Sequence, residues 1–200
     1  MGIFSLAKIV APALLLALSG CISLGAGGGK PTATLLTLSA DQQVPAGTSA
    51  SGTYAGAILV MEPETDQRLA VVRIPVQVDD TQVAYLVGAV WVERPARLFR
   101  ALLAETLRTR TGALVIEDAQ AAPNNGIRLS GRLLDMGYDA RTGSVVVRFD
   151  AMRTGANGGV TIKRFESVVP GIPAEVALVG PALNKAANDV ARQVAEWLVS

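Results

Sequence analysis

The chain contains no histidine. Without imidazole there is no Ser-His-Asp or Cys-His activation, no histidine-ligated zinc or iron, and no proton shuttle titrating near neutrality. A single cysteine excludes an intramolecular disulfide and any thiolate metal cluster. Aromatic residues make up 4% of the 200 residues and charged residues 18%, so a core has to be built mainly from aliphatic side chains. Lysine plus arginine, at 18, barely exceeds aspartate plus glutamate, at 17. No basic excess is left to hold a phosphate backbone, which argues against a nucleic-acid partner. No G-x-S-x-G occurs, and the one S-x-x-K runs from Ser5 to Lys8. Half of the residues are apolar, too many for a disordered chain, and the length suits one domain. The expectation is a binding or structural module, not an enzyme, with no catalytic residue, metal ligand or cofactor.

What is present begins with an address. Residues 1–8 carry one positive charge, Lys8, and residues 9–18 are apolar almost throughout. Ten residues are too few to cross a hydrocarbon core as a helix, which takes ~20, but they suit the apolar region of a secretory signal. Leu18-Ser19-Gly20-Cys21 follows directly and resembles the lipobox of bacterial lipoproteins. That resemblance implies cleavage before Cys21, a diacylglycerol thioether on it and acylation of its new amino group. Three acyl chains exceed the two signals that stable anchoring requires. Ile22 rather than aspartate after the cysteine implies, by the same likeness, sorting to the outer membrane. Loss of residues 1–20 would leave 17 basic and 17 acidic side chains.

Gly25, Gly27, Gly28 and Gly29, then Lys30-Pro31, read as a tether; they lack the third Rossmann glycine and any Gly-Lys-Ser/Thr ending. The expected organisation is therefore a signal over 1–20, a lipidated tether over 21–33 and one domain over 34–200. Within it, residues 34–38 read as a strand and 40–53 as a polar surface loop. Runs at 57–61, 69–78 and 83–92 read as further strands. Pro95 opens an amphipathic helix with Leu98, Phe99, Leu102, Leu103, Thr106 and Leu107 on one side, stopped at Gly112. Ala104 falls with the polar side. Residues 114–116 form a short strand. Alternation of Ile127, Leu129, Gly131 and Leu133, and of Val145, Val147, Phe149 and Ala151, predicts antiparallel strands with one wet face, joined through residues 139–143. Another follows at 160–168. Leu183, Ala187, Val190, Val194 and Trp197 step by four and three in a closing helix, with Pro181 in its first turn. The fold class is α+β: a single domain, a mostly antiparallel sheet, and two amphipathic helices packed on one face.

Few residues stand out chemically. Arg97, Arg100 and Arg108 read as a solvated helix face more than as a lipid or partner patch. Asp79-Asp80 suits turn chemistry. Asp135 and Asp139 form a carboxylate pair only if a cleft brings them together. Tyr85, Trp91 and Trp197 are the candidates for partner or groove contacts, although a strand with two aromatics more often packs against a helix.

Several stretches resemble a known family. Arg73-Ile-Pro-Val-Gln77, Val83-Ala-Tyr85 and Ala89 to Phe99, running into Leu102-Leu103-Ala-Glu-Thr-Leu107, are similar to the ABC-type transport auxiliary lipoproteins (PqiC-like). Leu129-Ser-Gly-Arg-Leu133-Leu-Asp135 and Trp197-Leu198 extend the likeness over about 34–200. It implies a lipoprotein of the outer membrane, held at the periplasmic face through acyl groups. Its implied partners are an MCE-domain protein and an ABC permease and ATPase that move lipids or other apolar molecules between membranes, with a homo-oligomer as a further expectation. A rival reading makes the chain itself a lipid carrier with an apolar groove between sheet and helices. The loop at 40–53 departs from the family pattern and leaves the first strand's pairing open.

Overall fold

The computed structural model describes residues 32–117 and 126–199. Along them run β1 (Thr34–Leu36), β2 (Ile58–Val60), β3 (Glu64–Thr65), β4 (Pro75–Gln77), β5 (Val83–Tyr85), β6 (Ala89–Trp91), α1 (Pro95–Thr111), β7 (Val115–Glu117), β8 (Ile127–Asp139), β9 (Ser144–Thr154), β10 (Val160–Val169) and α2 (Val176–Val199). The main sheet has the order β10-β9-β8-β2-β7, with β3 and β4 also on β8, and β5 on β4. Its long strands, β8, β9 and β10, pair antiparallel, whereas the short β2, β3 and β4 pair parallel to β8. The fold is α+β, as expected.

Alternation sets the faces. Val145, Val147, Phe149 and Ala151 of β9 are buried, while Val146, Arg148 and Asp150 between them are partly exposed. Both helices cover the buried face: the Phe99 ring of α1 meets Phe149 edge-on at 5.3 Å, and Trp197 of α2 lies 5.5 Å from Phe165 of β10. Each large side chain removed from water there contributes about 1.5–3 kcal/mol.

The first helix follows its periodicity. Pro95 occupies the first turn, and Gly112, at φ 64°, caps the end with its N–H donating to the Arg108 carbonyl. Ala104 is buried rather than on the polar side, so the apolar stripe is wider than its large side chains suggest. The last helix starts earlier than predicted. Pro181 lies inside α2, not in its first turn, because helix hydrogen bonding already begins with the Val179 N–H donating to the Glu175 carbonyl. Proline there removes one i→i−4 bond of the second turn. The adjacent Gly180 makes room for β1, since a Cβ on it would sit 3.1 Å from Leu36.

Two predicted strands are shorter in the structure. Residues 67–69 form a turn seated on Asp66, whose carboxylate accepts from the Arg68 and Leu69 N–H groups, residues 70–73 bend onward, and only Pro75–Gln77 is extended. The run at 83–92 splits into β5 and β6 because Gly88 takes φ 84°. The first strand's pairing also resolves: β1 lies parallel to β6 in a separate two-stranded sheet.

The loop after β1 is pinned rather than loose. Asn184 accepts from the Ser39 N–H, and Asn188 accepts from the Asp41 N–H while donating to the Ser39 carbonyl, each at 2.9 Å. Glu105 of α1 accepts from the Val44 N–H at 2.7 Å. Asn188 is only 5% exposed, so its amide reads backbone as a strand neighbour would. Asn188→Ala should raise the rate of proteolytic cleavage within residues 40–53 by about tenfold, the equivalent of one or two net hydrogen bonds. Limited proteolysis followed by mass spectrometry measures it; an unchanged cleavage rate would show that Asn188 does not hold the loop.

Candidate functional site

The wet face of the sheet is organised by one irregularity. Leu133 opposes Phe149, but Asp135, not Leu134, opposes Arg148, so Leu134 is an extra residue in β8. A bulge reverses the alternation beyond it. Met136 and Tyr138 therefore point inward with Leu129 and Leu133, and Asp135 is kept out of the core. The carbonyl of Leu134 accepts from Arg68 at 2.5 Å, which satisfies a group that the ladder leaves aside.

From that bulge an ion chain crosses the sheet. Asp66 meets Arg68 at 2.9 Å, Arg68 meets Asp135 at 2.8 Å, Asp135 meets Arg148 at 2.5 Å, and Arg148 pairs with Glu166. Beside it Arg164 holds Asp150 through two bonds of 2.6 and 2.7 Å. An open cavity of about 320 Å³ lies over one end, lined among others by Arg68, Asp135, Asp139, Arg141 and Arg148. A second, of about 520 Å³, lies between the helices and the pinned loop, lined among others by Asp41, Arg110, Lys185, Asn188 and Asp189. Hydrogen bonds from Arg164 hold the Asp150 carboxyl below its ordinary value, and Arg141 does the same for Asp139, burial opposing both. The backbone N–H groups of Thr81 and Gln82 lower Asp79. These carboxylates are held ionised, the reverse of what a general acid requires. Among the described residues, no three or more His, Cys, Asp or Glu side chains are placed to hold a metal, and no helix is long and apolar enough to cross a membrane.

Of the residues singled out from the sequence, Asp80, Asp135 and Asp139 line the first cavity together, whereas the others do not converge. Cys21, with Leu18, Ser19 and Gly20, lies outside the described residues, as does most of the tether. Trp91 is 2% exposed and belongs to the core, so burial removes it from the candidate contacts. Trp197 is half-buried against Phe165, and Tyr85 is half-buried with the Arg73 guanidinium 4.1 Å over its ring. Asp135 and Asp139 are each engaged by arginines, with Arg141 on Asp139 at 2.7 Å, and Asp79 caps a turn through Thr81 and Gln82. On α1, Arg97 meets Glu93 and Glu62, Arg100 meets Glu62 and Glu117, and Arg108 meets Glu117 at 2.9 Å. That helix face is internally neutralised. The sequence reading missed Arg68, Arg148 and Glu166. The alternation of Arg148 with Asp150 against Arg164 with Glu166 carried the cross-strand part of the signal, once the hairpin at Asn157-Gly158-Gly159 fixed the register.

The comparisons with known proteins agree with this architecture. Among curated proteins, none matches the chain. A solved protein from Xanthomonas campestris, assigned to the DUF330 family, is 15% identical, with 84% of this chain and 94% of that one covered at a TM-score of 0.66. A crystal structure of an uncharacterized protein is 12% identical, with 84% and 99% covered at a TM-score of 0.67. At such identities the likeness is one of fold. A family model described as ABC-type transport auxiliary lipoprotein component matches residues 36–195. That match spans β2 through most of α2 and includes the bulged β8 at its centre, so the chain belongs to the ABC-type transport auxiliary lipoprotein family.

Proposed function

We infer that the chain is exported, cut before Cys21, acylated there and sorted to the outer membrane, where its domain faces the periplasm. In that position it is the non-catalytic accessory component of an MCE and ABC-type system moving lipids or other apolar solutes between membranes. The observation that carries this reading is the family match over 36–195 in a chain whose residues 18–21 read Leu-Ser-Gly-Cys. The docking partners are an MCE-domain protein and an ABC permease with its ATPase, and several copies of the chain act together. The carrier alternative draws no support from the layer between sheet and helices, where a carried lipid would lie. Leu103, Val147, Phe149, Leu183 and Val190 fill it, each at most 1% exposed.

Cys21→Ser should abolish acylation and leave the leader uncut, so that mass spectrometry finds neither an acylated residue 21 nor a chain beginning there. If this variant is still cut before residue 21 and its mature form still partitions with detergent, the anchor reading falls. Affinity capture of the wild-type chain from solubilised envelopes should recover an MCE-domain protein and a permease; capture that repeatedly returns neither overturns the partner reading.

A further inference from the structure

We propose that the corner where the domain leaves towards Cys21 is a membrane-contact patch that rests on the leaflet holding the acyl anchor; this rests on the lipoprotein reading above. Three segments meet there. The Thr34 N–H donates to the Gly88 carbonyl at 2.8 Å, which sets the start of β1 beside the turn carrying Val87. A Cβ on Gly88 would lie 3.8 Å from Val176, so the start of α2 closes the same corner. Large apolar side chains are left facing water: Val87 is 88% exposed, Leu35 66% and Leu178 44%. Leu35 faces outward because its neighbour Leu36 turns in against Gly180.

The charge pattern agrees. Residues 32–38, 86–92 and 172–184 contain a single charged side chain, Glu175, in a chain that is 18% charged. At the rim stands Arg73, next to Ile74, whose carbonyl accepts from the Leu86 N–H. Its guanidinium lies over the Tyr85 ring, and no carboxylate pairs with it among the described residues. An apolar tip flanked by an aromatic ring and an unspent cation matches the three zones of a bilayer surface: acyl chains, interface and headgroup phosphate. Most other exposed cations, such as Arg97, Arg141 and Arg164, already have carboxylate partners.

Chain length selects the occupant. Thr32 is eleven residues from Cys21. Fully extended, that span reaches at most about 40 Å, comparable with the breadth of the domain itself. The chain leaves the domain at this corner, so a bilayer holding the anchor lies within that reach of it. A phospholipid surface is therefore the proposed occupant, in preference to a second copy of the chain.

The test uses the full acylated protein in vesicles of phosphatidylethanolamine and phosphatidylglycerol. Acylation consumes Cys21, so Val87→Cys carries one free thiol for an environment-sensitive fluorophore. Val160→Cys, at the far end of β10 from the segment entering α2 and 57% exposed, is the reference. Nitroxides placed on the lipids should quench the label at 87 at least about threefold more than the label at 160, as expected of interfacial burial. Leu35→Gln with Leu178→Gln should remove that difference. Equal, weak quenching at both positions, with the acyl mass present on the Cys21 peptide, overturns the patch and leaves the anchor standing. Disulfide-linked dimers of Val87→Cys without lipid quenching overturn it in favour of a second copy. Absence of the acyl mass overturns patch and anchor together.

Discussion

Gly131→Ala should lower the melting temperature by about 6–12 °C, the equivalent of about 3 kcal/mol in a domain of this size. Gly131 takes φ 144°, a conformation that L side chains rarely adopt, and a Cβ on it would meet the Asp150 carbonyl oxygen at 2.0 Å and the Phe149 ring at 3.0 Å. The ring could turn aside; the carbonyl belongs to the neighbouring strand and could not move without opening the β8–β9 ladder. Phe149→Leu should therefore fail to rescue Gly131→Ala. Gly56→Ala is the control, because its nearest neighbour, Thr53 Oγ1, would be 4.0 Å away. Differential scanning calorimetry decides the matter: a Gly131→Ala melt within a degree of wild type would show that the sheet yields there more easily than its geometry implies.

Trp91→Ala should cost about 3–5 kcal/mol, whereas Trp91→Phe should cost about 1–2 kcal/mol. Trp91 fills the core from β6, where it opposes Leu36 of β1, and its own N–H donates to the Val72 carbonyl at 2.7 Å. Truncation to alanine would open a cavity between the two-stranded sheet and the rest of the core. The indole Nε1 has no acceptor among the described residues. Phenylalanine thus gives up volume but no side-chain hydrogen bond. Denaturant titration of both variants checks the gap; equal losses would mean that volume is not what Trp91 contributes.

The parts of the fold that were legible are those where one period governs a long segment. Leu98 to Leu107 spelled α1, and Val145 to Ala151 spelled β9, because in each a buried stripe repeats without interruption. Short parallel strands such as β2 and β3 show no such repeat, and their partner β8 becomes known only through long-range pairing. The bulge at Leu134 was invisible for a related reason. One extra residue reverses alternation, so Met136 and Tyr138 fall out of phase with Leu129 and Leu133, and the strand seemed to stop at Leu133. Trp91 was left between contact and core because an exposed aromatic and a buried one look alike in sequence; its burial places it in the core. The pinned loop was unreadable because its partners, Asn184 and Asn188, lie about 145 residues away and use side chains in place of a strand.

A pull arriving through the chain before Thr34 would fall first on β1. That strand is three residues long and belongs to a separate two-stranded sheet, hydrogen-bonded to β6 and not to the eight-stranded one. Behind it, the bonds from Asn184, Asn188 and Glu105 form a second line of resistance before strain could reach β8, β9 or β10. Load applied at that end would therefore meet a sacrificial strip first: a few residues would peel away while the hydrophobic interior stays shut.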